Sequence, residues 1–215
     1  MNTKQKHFSF LDTFTIVFIV SLLAANIVAV KLVQIGPFIF PAGTIIFPIS
    51  YIVNDVLTEV YGLKAVRKVI WTGFLANLFL VLVIYLAQIL PAAPFWDGQQ
   101  PFERILGFAP RILLASFTAY LAGSFANAWI MEKMKILTRE RWLWSRTIGS
   151  TLVGEGIDSF AFMLIAFAGT VPTQGWITSA ITIWGLKTLY EILATPITYY
   201  VVNRVKRFEQ QRSII

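Results

Sequence analysis

Cysteine is absent from the 215 residues, and histidine occurs once, as His7. The first absence excludes disulfides and thiolate metal sites. The second leaves no imidazole for catalysis or metal binding inside the apolar part of the chain, so no metal site and no cofactor is expected. Charge is scarce as well: 13% of the residues are charged, against roughly 25% in an ordinary soluble domain. Two motifs are also missing. Without G-x-x-x-x-G-K-[ST] the chain has no Walker A loop for hydrolysing ATP, and without G-x-S-x-G it has no nucleophile elbow.

Hydrophobic residues fill this gap, at 57% of the chain with a mean hydropathy of +0.69. Segments long enough to cross a bilayer need roughly 20 apolar residues. Six such segments are expected near 12–31, 41–61, 68–90, 109–131, 149–169 and 177–202. The connections between them are short, so residues 1–215 read as one all-α transmembrane domain. The first run follows Lys4 and Lys6 as a signal peptide would, but it is too long and no A-x-A pattern follows it. A retained first helix is the expectation.

Basic residues orient this arrangement. Lys4 and Lys6 precede the first segment, and Lys64, Arg67 and Lys68 follow the second. Lys133, Lys135, Arg139, Arg141 and Arg146 lie between the fourth and fifth, and Arg204, Lys206, Arg207 and Arg212 close the chain. These are 14 of the 18 lysines and arginines, all on one side of a six-span arrangement. The positive-inside rule then places both termini in the cytoplasm. The net charge of +7 is a topology signal, so nucleic acid is not an expected partner, while the lipid bilayer is. Trp71, Trp96, Trp142, Trp144 and Trp176 fall near span ends and read as interfacial anchors.

With the loops set aside, six ionisable residues are left inside the spans: Asp55 and Glu59, Glu155 and Asp158, Lys187 and Glu191. Each pair is three or four residues apart and shares a helix face. At the helical rise, Asp55 lies roughly 13 Å from Lys64 and Asp158 roughly 18 Å from Arg146, which brings the groups toward mid-bilayer. An ionisable group there costs at least a few kcal/mol, so a cavity or mutual pairing is required. Bland readings stay open at this level. Lys187 and Glu191 could neutralise each other, Glu59 could mark an interfacial helix end, and Asp55 and Asp158 could be packing hydrogen bonds. Even so, five carboxylates face one lysine, and that excess calls for protons, for Arg111, or for a ligand rich in donors or positive charge. Trp184, Tyr190, Phe160 and Phe162 lie at similar depth and could stack on a flat ligand.

Several features suggest how the spans are built. Gly154, Gly156 and Gly185 flank the charged residues and would suit unwound or close-packed backbone, and Pro196 is expected to kink the last span. Three segments precede the proline-marked stretch at Pro91, Pro94 and Pro101, and three follow it. The middle segment of each half carries an acidic pair, a pattern compatible with a 3+3 inverted repeat around a shared site. Ala25 and Ala29 make a small-xxx-small face on the first segment that could dock a partner helix.

Four ordered blocks carry a resemblance: FPISYIVNDVLTEVYG from Phe47, RILLASFTAYLAGSFAN from Arg111, RTIGSTLVGEGIDSFAFMLIAFAG from Arg146, and KTLYEILATPITYYVVNRVKRFE from Lys187. Over about residues 47–209 the chain resembles the queuosine precursor transporters, six-helix bacterial membrane proteins. The pattern departs at Glu155, where an amide is the expected residue. The resemblance implies uptake of 7-deazaguanines, in the 7-cyano or 7-aminomethyl form, across a bacterial inner membrane, by facilitated or proton-coupled transport. It implies Asp55 and Asp158 as base-edge or coupling carboxylates, Glu59 and Glu191 as secondary acids, Lys187 as counter-ion, and Asn54 and Asn127 as polar ligands. The residues agree, since a guanine-like edge presents N–H groups that a carboxylate accepts in pairs.

Two rival functions are separable from this one. A substrate-binding subunit of a multi-component uptake system would use the Ala25/Ala29 face for its energising partner. An intramembrane aspartyl protease would need an aspartate where GEGID has Ile157, so an enzyme is not expected. Monomer and homodimer are equally compatible with the sequence.

Overall fold

The computed structural model describes residues 10–137 and 143–212. Lys4, Lys6, His7, Arg139, Arg141 and Trp142 lie outside the described residues. The chain runs through α1 (Leu11–Val28), β1 (Leu32–Ile35), β2 (Phe38–Pro41), a 3-10 turn (Ala42–Ile46), α2 (Phe47–Val56), a π-helical turn (Leu57–Tyr61), α3 (Gly62–Ile89), α4 (Gln99–Leu106), α5 (Ala109–Leu137), α6 (Leu143–Phe167) and α7 (Thr173–Arg212).

Among the described residues, four stretches are long and apolar enough to cross a membrane: Leu11–Val28, Lys64–Ile89, Gln99–Met134 and Ile148–Phe167. Their outward faces are greasy. Ile16, Leu75, Phe79, Leu82 and Phe125 are all exposed, the inverse of a soluble bundle and what a lipid solvent requires. α7 is longer still but carries Lys187 and Glu191 along its course. Pro196 lies inside α7, which is helical on both sides of it.

The segment expected at 41–61 departs most from a simple span. A two-stranded antiparallel hairpin pairs Leu32 with Pro41 and Ile35 with Phe38, a small insert in an otherwise all-α fold. Gly36, at φ 58, opens its two-residue turn, a conformation a side chain would strain. The hairpin returns the chain beside α1, where Gly43 lies directly against the Ala25 carbonyl. A side chain at position 43 would collide with that backbone. Ala25 and Ala29 are buried by this same chain, so the small-residue face expected to dock a partner is already occupied internally. The polypeptide is then helical from 42 to 61, but in three different geometries. Gly62, at φ 80, turns the corner straight into α3, which begins six residues earlier than expected.

α5 and α6 pack closely because both present glycine at the seam. A Cβ on Gly154 would sit 2.8 Å from the Asn127 Cβ, and one on Gly123 2.8 Å from the Gly154 oxygen. Gly154 therefore serves close packing, and α6 runs unbroken through it. α6 ends where Gly169 adopts φ 78. There Arg111 donates from Nε to the Ile165 oxygen at 2.7 Å and from Nη2 to the Ala168 oxygen at 2.5 Å. These are carbonyls a helix C-terminus leaves unsatisfied, and a cation beside them also favours the dipole. Arg111 is thereby engaged at the end of α6 and not with the acids. The main apolar core lies nearby, around Ile112, Ala115, Met163, Ala166 and Ala180, with Trp176 packed against it. Trp176 is thus partly a core residue as well as a residue near a span end.

Candidate functional site

The helices enclose a cavity of about 710 Å³ whose wall draws on α1, the 3-10 turn, α2, α3, α5, α6 and α7. Of the residues selected from sequence, Asn54, Asp55, Asn127, Glu155, Asp158, Lys187 and Glu191 line it. Glu59 does not. It is 62% exposed and pairs with Lys206 at 3.3 Å. The π turn accounts for the split, because its i→i+5 register moves a residue four positions on away from the face it would share in an α-helix.

Lys187 is buried, and from α7 it reaches across to α6. Its Nζ is 3.0 Å from Glu155, forms a short ion pair with Asp158, and lies 5.3 Å from the centre of the Phe47 ring. An ammonium between two carboxylates and over an aromatic face is compensated on several sides. The Lys187–Glu191 pairing that the spacing left open does not form: Lys187 pairs with Glu155 and Asp158 instead. Among the described residues neither the Glu191 nor the Asp55 carboxylate has a hydrogen-bond or ion-pair partner, and both are open to the cavity. Four carboxylates and one lysine thus share one cavity.

Further polar groups on this wall have no simple sequence signature, because isolated serines, threonines and asparagines in apolar runs read as helix-packing residues. Asn26 donates from Nδ2 to Asn77 Oδ1 at 3.0 Å, and Ser116 donates to Asn26 Oδ1 at 3.0 Å. Thr44 Oγ1, Asn127 Oδ1 and Ser159 Oγ are buried without a partner among the described residues, and all three side chains belong to the cavity wall. Buried polar atoms are rarely left so. The aromatic lining is Phe18, Phe47, Phe74, Phe117, Tyr120 and Phe162. Of the four rings expected to stack on a ligand, only Phe162 is among them. Trp184 and Phe160 line a separate apolar groove of about 350 Å³ with Gly156 and Ile157, and the Trp184 Nε1 donates to the Leu152 oxygen at 3.0 Å.

An internal, mixed polar and aromatic cavity in a greasy helical body is the layout of a solute carrier. Residues 41–201 match the family described as "Putative vitamin uptake transporter". The chain belongs to this transporter family. Its similarity extends to individual members. It is 29% identical over 187 residues to the "Probable queuosine precursor transporter" of Bacillus subtilis (strain 168), covering 86% of the chain and 82% of that protein. It is 26% identical over 154 residues to the "Queuosine precursor transporter" of Escherichia coli (strain K12), covering 70% and 67%. No solved structure matches. The transporter is accordingly a multi-pass membrane protein, in contact with lipid and with a small-molecule substrate.

Proposed function

We propose that the chain imports 7-deazaguanine precursors of queuosine, in the 7-cyano or 7-aminomethyl form, across a bacterial inner membrane. The observation that carries this is the acid excess in the cavity: Asp55, Glu155, Asp158 and Glu191 against Lys187. A guanine-like edge supplies adjacent N–H donors, which suit a carboxylate that has no protein partner. Asp55 and Glu191 are such acceptors, and Asp158, held by Lys187, adds a third carboxylate on the same cavity wall. The flat ring stacks between phenylalanines such as Phe47 and Phe162, and the amide of Asn127 and that of Asn54 add neutral hydrogen bonds.

In this reading six segments cross the membrane with both termini in the cytoplasm, α2 with its flanking turns and α7 joining the four strongly apolar stretches. An unpaired carboxylate, Asp55 or Glu191, carries a proton when the ligand is neutral. In this reading the chain transports without a separate energising subunit, and the Ala25/Ala29 face, buried by the chain itself, is not open to dock one.

The test is binding of the two deazaguanines to purified protein, with guanine and adenine as controls, followed by uptake into proteoliposomes holding this chain alone. Saturable binding that falls in Asp55→Asn and Asp158→Asn, in variants that remain folded, supports the assignment. Absence of binding by folded wild-type protein overturns it. Binding without uptake by the chain alone favours a binding subunit of a larger system.

A further inference from the structure

We infer that Asn26, Asn77 and Ser116 form a second recognition subsite, which reads the substituent on the five-membered ring of the base; this rests on the ligand class proposed above. The three residues come from α1, α3 and α5, all line the cavity, and are joined by the two hydrogen bonds at 3.0 Å. Asn77 is buried at 2% exposure, and its own Nδ2 donates to the Gly73 oxygen at 3.3 Å. The charged residues occupy α2, α6 and α7 instead. The cavity therefore has a neutral pole and an acidic pole on different helices.

Distance along α5 separates the poles. Gly123 packs against Asp158, and Ser116 lies seven residues before it, about 10 Å along the axis. A substituted bicyclic base spans a comparable length, so one molecule can meet both poles at once.

Chemistry assigns each end. Carboxylates paired with an ammonium, as Glu155 and Asp158 are with Lys187, only accept hydrogen bonds, so the acidic pole suits the donor-rich guanine edge and would repel the lone pair of a nitrile. The amide-hydroxyl cluster offers both kinds of group. Asn26 uses one N–H and one lone pair within the cluster, which leaves one donor hydrogen and one acceptor site, and the Ser116 oxygen is a further acceptor. A nitrile nitrogen can take the donor, and an aminomethyl ammonium can use the acceptors. Purely structural bonding of three helices would use the same hydrogen bonds, but it would not distinguish one ligand from another.

The discriminating experiment measures binding of three probes to the full chain in detergent: 7-cyano-7-deazaguanine, 7-aminomethyl-7-deazaguanine and unsubstituted 7-deazaguanine. Ser116→Ala should weaken the aminomethyl probe by roughly ten- to a hundredfold, the effect of one lost hydrogen bond to a charged group, and leave the cyano and unsubstituted probes nearly unchanged. Ser116→Thr, which keeps the hydroxyl, should restore it. Asn26→Asp exchanges a donor for a charged acceptor and should shift preference toward the aminomethyl probe and away from the cyano probe. An equal loss for all three probes, or unchanged selectivity in both variants, overturns the subsite while leaving the proposed function intact. Wild-type protein that binds none of the three overturns both.

Discussion

Asp55 and Glu59 are one helical turn apart in sequence, and they belong to two different regions of the molecule. Asp55 faces the cavity with no partner among the described residues. Glu59 lies at the rim, where Lys206 sits 3.3 Å away. Beside it Tyr61 donates to Glu209 Oε1 at 3.0 Å, and the same oxygen accepts from the Phe10 amide at 3.1 Å. The rim ties the start of α1, the π turn and the end of α7 together with local, satisfied bonds. The cavity holds charges that the fold leaves uncompensated. A carboxylate inside a span is tolerated without a protein partner only where something else will meet it, so the contrast separates groups that hold the structure from groups available to a solute.

Lys187 is where this contrast is easiest to break, because it is buried in the cavity wall and pairs with two of the cavity carboxylates. Lys187→Met should destabilise the protein by about 3–5 kcal/mol, the range for removing one partner of a buried pair. Thermal unfolding in detergent would show it, and adding Asp158→Asn should recover part of the loss. Next in size, Asp55→Asn and Glu191→Gln should each weaken ligand binding by roughly ten- to a hundredfold, the effect of a lost charged hydrogen bond. Their melting temperatures should stay near wild type, since neither carboxylate has a protein partner to lose. If either variant unfolded as Lys187→Met does, the division between the two regions would fail.

The rim should respond more weakly and in the opposite sense. Tyr61→Phe removes one hydrogen bond and should cost about 1 kcal/mol of stability with no change in ligand affinity. Smallest of all, Glu59→Gln should shift stability by less than about 1 kcal/mol, as exposed ion pairs do, and leave binding untouched. A large loss of affinity in Glu59→Gln would bring this residue back into the site.

Much of this was legible beforehand. The apolar runs around α1, α3, α5 and α6 and the set of acids inside the spans are visible because hydropathy and charge are properties of short windows. Seven of the eight selected residues line the cavity, since an intramembrane ionisable group has few other places to go. The hairpin at Leu32–Pro41 was missed although Gly36-Pro37 between β-branched and aromatic residues is a turn signal. The Asn26, Asn77 and Ser116 cluster was missed for a different reason: its members are 51 and 90 residues apart, and each one singly is an ordinary helix residue.

By itself the sequence determined that this chain lives in a membrane, that its interior is acidic, and that neither thiol nor imidazole chemistry operates there. Only the tertiary structure decided that Lys187 neutralises Glu155 and Asp158 while Glu191, one turn away on the same helix, is left to the cavity. It also decided that Arg111 is engaged at the end of α6 and that Gly43 packs against Ala25. The physical reason is that burial propensity accumulates residue by residue along the chain. Charge pairing instead depends on distances of a few ångströms between helices far apart in sequence, and those distances exist only once the helices have packed.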